Sequence, residues 1–361
     1  MKFRDGTGGS VGKVRYWMAG VAVSAVLTGL LRAQAIPEAT LINPAAIAYG
    51  AATGKVYAVD KARNAVVVSD DATGKMMSVK VGVGPVSIAV NAKTGRAYVV
   101  NAGDGTVSVL DGASDAVVAT VPVGASANAI AVNSVTGAVY VTRTYSDKMV
   151  VIDGATNAMT MVKAGRPDAL VVDDKANAVY LIGYEGESVD VLDGRTNAVR
   201  SLPAGVHMWG IAVNEKTGVV YVARAQDREV LALPPGATEA IAIPTGSIPC
   251  AVAVNETTNR VYVANYAEDS VAVIDGASRG VVATVPVGKR PEAIAVDPVR
   301  NRVYVANTLG NSVTVIDGVT NRTLATLDAG KAPYALVVNL RSGKVHVADL
   351  DERATTVVSL R

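Results

Sequence analysis

One phrase recurs eight times along this chain, restarting every 40–42 residues. A clear copy runs from Pro291 through Ala-Ile-Ala-Val (293–296) and Arg-Val-Tyr-Val-Ala-Asn (302–307) to Ser-Val-Thr-Val-Ile-Asp-Gly (312–318). A tyrosine keeps the register at positions 57, 98, 140, 180, 221, 262 and 304, and His346 takes the eighth slot. Each unit holds four short apolar runs divided by Asn, Asp and Gly. A single unit of this kind cannot bury its own apolar faces, so neighbours must stack. Four strands in a period of this length specify the blade of a β-propeller.

The strands of a unit fall at Ala293–Val296 (A), Arg302–Ala306 (B), Ser312–Ile316 (C) and Leu324–Leu327 (D). β-Branched residues dominate them, as sheets favour. Strand A is expected innermost and apolar on both faces, its alanines fitting the narrow part of the ring. Phe3 is the sole phenylalanine, and Trp17 and Trp209 are the two tryptophans. Packing between blades therefore rests on Val, Ile, Leu and the tyrosine row. Strand A leads into Asn-x-x-Thr-Gly (Asn91–Gly95, Asn133–Gly137, Asn214–Gly218), and strand C into Asp-Gly at Asp111, Asp153, Asp193, Asp275 and Asp317. These are turn residues that satisfy backbone groups and tolerate left-handed conformations. Their likeness to calcium loops is superficial, because they lack the bidentate glutamate and the ligand spacing.

Eight four-stranded blades follow from the count. The last unit, Pro333–Arg361, supplies only strands A, B and C, and Ile36–Ile42 stands in register as a strand D. The ring is expected to close by pairing that N-terminal strand with the C-terminal strand C. Pro37 is tolerable on such an outer edge. Seven blades with an undocked unit is the alternative.

Residues 1–35 read as a secretion signal. Lys2, Arg4, Lys13 and Arg15 form a basic start, Trp17–Leu31 is apolar, and Ala33-Gln34-Ala35 is a small-x-small cleavage pattern. The apolar stretch is short for a membrane span, which needs about 20 residues. Cleavage after Ala35 leaves one domain, 36–361, in the periplasm or outside the cell. An uncleaved signal is the only membrane contact expected. The whole chain carries a net charge of +2, but residues 36–361 hold 29 basic and 31 acidic residues, a net of −2. Such a surface has no electrostatic footprint for nucleic acid. Cys250 is the single cysteine, which excludes an internal disulfide and a Cys-x-x-Cys-His haem attachment.

The phrases Val-Tyr-Val-Ala-Asn (261–265 and 303–307) and Ser-Val-x-Val-Ile-Asp-Gly resemble the YVTN family of β-propeller repeats, across essentially all of 36–361. The resemblance implies an exported propeller. Similar proteins include surface-layer proteins, lactonase-like propellers and haem d1-binding propellers. Fold does not fix function, so a site has to be argued from residues.

In a propeller the D–A and B–C connections share one face, where the axis opens. The residue at the start of strand A reads Ala45, Val86, Asn128, Asp168, Trp209, Cys250, Glu292, Tyr334 in unit order. Just before it stand Arg166, His207, Lys289, Arg290 and Lys331, and Arg143 and Arg224 break the Asn/Asp habit at the end of strand B. Constant positions are explained by the blade, whereas diverging ones drift or are used. The candidate ligand-binding set is therefore Arg143, Arg166, Asp168, His207, Trp209, Arg224, Cys250, Lys289, Arg290, Glu292 and Tyr334. His207 is the sole imidazole outside the tyrosine row, and His346 is a structural substitution within it. Cys250 is a thiol nucleophile or a small apolar filler. Trp209 stacks on a ligand or caps the axis.

Three functions compete. A non-catalytic binding or scaffold protein, with a protein or small molecule as its partner and no cofactor, needs only the ring and its varied mouth. A lactonase-like or lyase-like enzyme would use Asp168 and Glu292 around a metal ion. A haem d1 carrier would use His207 as axial ligand, with Arg143, Arg166, Arg224, Lys289 and Arg290 against carboxylates. No phosphate-binding glycine loop, zinc-ligand spacing or Ser-His-Asp set is present.

Overall fold

A computed structural model describes residues 46–349 and 356–358. Among them every element is a β-strand, ordered into antiparallel meanders of consecutive strands. The chain is an all-β propeller. Seven sheets have four strands, and the eighth has three: Pro333–Val338, Val345–Asp349 and Thr356–Val358. Among the described residues seven of the eight blades are therefore four-stranded, not all eight. The fourth strand expected of the eighth blade, Ile36–Ile42, lies outside the described residues, as do the signal segment and Ala45.

Blade 7 shows the pattern: A Pro291–Asp297, B Arg302–Asn307, C Ser312–Asp317 and D Arg322–Asp328. The expected strands lie inside these limits. Strand B is buried fully in blade 2 and along nearly its whole length in blades 6 and 7, and strand D is the exposed outer edge. Strand A departs from expectation. It is innermost, yet several of its side chains are half-exposed, as in Met208–Asn214 and Pro291–Asp297. Its small residues line an open axis instead of filling one.

The tyrosine row joins blade to blade. Tyr98 packs with Val139 and Val141 of blade 3, Tyr262 with Val303 and Val305 of blade 7, and Tyr304 with Val345 and Val347 of blade 8. Burial raises the pKa of these phenols, and so does an aspartate in the next blade's C–D turn: Asp193 for Tyr140, Asp275 for Tyr221, Asp317 for Tyr262.

The turn face follows the sequence closely. Asn91 Oδ1 accepts the N–H groups of Lys93 and Thr94, both at 2.9 Å. Asp317 Oδ1 accepts those of Val319 (2.9 Å) and Thr320 (2.7 Å). Backbone donors hold Asp111, Asp153, Asp193, Asp275 and Asp317 below the usual carboxylate range. The glycine after the aspartate is a matter of space: a Cβ on Gly112 would run into the carbonyl oxygen of Gly95.

The seam between blades 8 and 1 differs from the other joints. Ala46, Ile47, Val56 and Ala58 pack against Ala335 and Ala348. Blade 1 carries Asp71 where the C–D turns of blades 2, 3, 4, 6 and 7 carry glycine and that of blade 5 carries Pro235, and blade 8 carries His346 where other blades carry tyrosine. The two departures meet. Asp71 Oδ2 lies 3.1 Å from His346 Nε2, and it accepts from Asn339 Nδ2 at 2.6 Å and Ser342 Oγ at 2.9 Å. Arg341 donates across the same joint to the Ala51 carbonyl at 2.6 Å.

Candidate functional site

The D–A connection takes one conformation all round the mouth. The residue two places before the inner ring is left-handed in all seven described copies: Gly84, Ser126, Arg166, His207, Ile248, Arg290 and Ala332, with φ between 51° and 63°. A register shift then follows in strand A of blades 2, 3, 5, 6, 7 and 8, where the inner-ring residue sits in a bulge. Bulges re-aim side chains. Here they place Val86, Asn128, Trp209, Cys250, Glu292 and Tyr334 at the axial mouth.

Neighbouring copies touch around this ring. Asn128 Nδ2 donates to the Asp168 carbonyl at 3.2 Å, and Cys250 Sγ donates to the Pro291 carbonyl at 3.3 Å. A second ring stands behind the first, one or two residues beyond strand B: Thr144, Tyr184, Ala225, Tyr266 and Thr308. The series read from the sequence stopped at the last residue of strand B and so missed it. The same repeat alignment, moved on by one position, reveals it.

Tyr184 gathers blades 4 and 5. Its ring lies 5.0 Å from His207, edge-on at 68°, and 5.9 Å from Trp209, tilted at 32°. Its N–H donates to Asp168 Oδ2 at 3.0 Å. Burial lifts the Asp168 carboxyl above its usual range, partly offset by that N–H and by Thr144. Trp209 Nε1 is buried with no hydrogen-bond partner.

Blades 6 and 7 form a tighter cluster. Glu292 is 8% exposed, and its Oε2 has no partner. Burial pushes its pKa up to about 7, against the lowering pull of Thr308 and Arg290. The Thr308 hydroxyl donates to the Pro333 carbonyl at 2.7 Å. Arg290 lies over the Tyr266 ring, 5.1 Å from its centroid. Burial, with Glu292 and Cys250 nearby, takes the Tyr266 phenol to about 12 despite Arg290, and its hydroxyl is buried without a partner. Burial pushes the Cys250 thiol well above its ordinary value, and Glu292 adds to this. A thiol held protonated and donating to carbonyls is a poor nucleophile.

The remaining candidates separate. Arg224 is committed internally, to Asp227 at 2.6 Å and Glu229 at 2.8 Å. Arg143 and Arg166 line an open groove between blades 3 and 4. Lys289 is exposed on the D–A loop of blade 7, and the Tyr334 phenol is raised by burial and by Asp349. Asp168 and Glu292 lie in separate clusters. Among the described residues no group of three or more His, Cys, Asp and Glu could hold a metal ion.

No protein-family profile and no curated protein matches this sequence. Solved structures do match its fold. Kuenenia stuttgartiensis hydrazine synthase is 18% identical with a TM-score of 0.61, over 80% of this chain and 99% of that one. The dihydro-heme d1 dehydrogenase NirN, in complex with DHE, is 13% identical with a TM-score of 0.67, over 79% of this chain and 66% of that one. Likeness at this level establishes the propeller.

Proposed function

We propose that this protein is a non-catalytic binding propeller holding a small ligand at the mouth, over blades 4 to 7. The observation that carries the reading is three buried polar atoms without partners on three successive blades: Trp209 Nε1, Tyr266 Oη and Glu292 Oε2. A buried polar group left unsatisfied costs about 1–3 kcal/mol, and three on one arc favour a ligand that completes them. That ligand has a flat face for Tyr184 and Trp209, an acceptor for the indole N–H, and a hydroxyl or amide to pair with Glu292. The protonated thiol, and the separation of Asp168 from Glu292 among the described residues of the mouth, support binding without chemistry. We further propose YVTN-type membership and export, on the repeat phrases and the N-terminal pattern.

The test is native mass spectrometry of protein purified without denaturant from its own host, beside Trp209→Ala and Glu292→Ala. A mass excess on the wild type that both variants lose supports the reading. Equal masses for all three overturn it.

A second reading, a porphyrin carrier, draws support from the fold shared with NirN and from His207 at the mouth. His207 would supply the axial nitrogen, and Arg143, Arg166 and Lys289 would meet carboxylates. Arg224 would not, being already paired. The bound group would supply the redox chemistry. A colourless wild type from a haem d1-producing host removes this reading. A visible band lost in His207→Ala would put it ahead of the first.

A further inference from the structure

Blades 3 and 5 both replace the asparagine at the end of strand B with arginine, Arg143 and Arg224. Blade 5 supplies two carboxylates for the change, Asp227 and Glu229, both within 2.8 Å of the guanidinium. The equivalent positions in blade 3 are Ser146 and Lys148. Arg143 Nε donates to the Ala125 carbonyl at 3.2 Å, and among the described residues it has no carboxylate partner. Arg166 faces the same groove, also without one. The same substitution is thus neutralised inside one blade and left cationic in another.

The groove has a volume of about 430 Å³ and is lined by Ser126, Arg143, Tyr145, Ser146, Asp147 and Arg166, among others. Asp147 forms no described ion pair with either guanidinium. Tyr145 is 68% exposed with φ at 62°. In other blades the left-handed residue of this connection falls later, at Arg228, Asp269 and Asn311. The blade 3 loop therefore has its own conformation, and it sets a phenol and two hydroxyls beside two guanidinium groups.

We propose that this groove is an anion-binding site for a phosphate- or carboxylate-bearing small molecule, gripped by Arg143 and Arg166. Planar guanidinium forks match both oxyanions bidentately, and two like charges facing one groove favour an anion between them. Ser126, Ser146 and the Tyr145 hydroxyl supply neutral donors at its rim. The groove adjoins the blade 4 end of the arc at Thr144, and Trp209, Tyr266 and Glu292 do not line it.

Calorimetric titration with inorganic phosphate and, separately, citrate tests it, at low and at raised sodium chloride. The wild type binds at least one probe, more weakly as salt rises. Arg143→Gln and Arg166→Gln each lose at least tenfold. Ser146→Asp rebuilds the blade 5 pairing, so it loses a similar factor while keeping or raising the Tm. This guards against loss through misfolding. Arg195→Gln, on the turn face, binds as the wild type does. Tighter phosphate assigns phosphate esters, and tighter citrate assigns polycarboxylates. No heat from either probe at millimolar concentration, or unchanged affinity in Ser146→Asp, overturns the proposal.

Discussion

Both faces of the ring demand left-handed backbone, and they meet the demand with different residues. On the turn face the positions are filled mainly by Gly54, Gly95, Gly137 and Gly218 or by Asn157, Asn177, Asn197, Asn259, Asn301 and Asn321. At the mouth the repeated D–A position holds Ser126, Arg166, His207, Ile248, Arg290 and Ala332, with glycine only at Gly84. Left-handed backbone costs a residue with a Cβ about 1–2 kcal/mol, least for Asn and Asp. The turn face takes the inexpensive solution nearly everywhere. The mouth forgoes it in six of the seven described copies, which is expected where side chains matter more than strain.

The comparison can be broken from either side. The largest effect is expected at the seam on the turn face. Asp71→Ala removes the acceptor beside buried His346 Nε2 and leaves Asn339 Nδ2 only the longer bond to the Gly54 carbonyl, and should cost about 3 kcal/mol; denaturant melts would show it. Gly112→Ala should cost about 2 kcal/mol, because the new methyl meets the Gly95 carbonyl and not a movable side chain. A neutral result would mean that the turn face is as permissive as the mouth.

Mouth substitutions should instead stabilise. Glu292 has a folded pKa of about 7, above the ordinary 4.5. The unfolded chain releases this proton first, so stability is lost as pH rises from 4.5 to 7 and levels off above. Glu292→Gln escapes that loss and should gain about 2–3 kcal/mol on the wild type at pH 8, with little difference at pH 4.5. A gain that ignores pH would detach Glu292 from the strained face. The smallest effect is Arg166→Gly, which relieves a φ of 52° and should add about 1 kcal/mol while abolishing anion binding.

The sequence disclosed most of the fold because a repeat is its own alignment. The tyrosines marked the packing between blades, and the Asx turns were named residue by residue. What remained hidden needs distance across the blade. The register reading placed Trp209 and Glu292 at the mouth, but Tyr184 and Tyr266 lie one position past the series it followed. Arg224 and Arg143 looked alike until their neighbours were compared, and only the folded loop shows Asp227 and Glu229 reaching the first. The changes at Asp71 and His346 stand 275 residues apart, and nothing local says that they meet.

That meeting has a consequence for how the molecule assembles. Chains of near-identical units are prone to joining in the wrong order, within one copy or between two. Here the joints between blades 1 and 2, 2 and 3, 3 and 4, 5 and 6, and 6 and 7 set glycine against tyrosine, and the joint of blades 4 and 5 sets Pro235 there, while the terminal joint reads aspartate against histidine. A ring closing one blade early would set Asp71 against Tyr304, with no imidazole to receive it. The two ends thus act as a lock and key for each other, and the number of blades is written into the residues that close the circle.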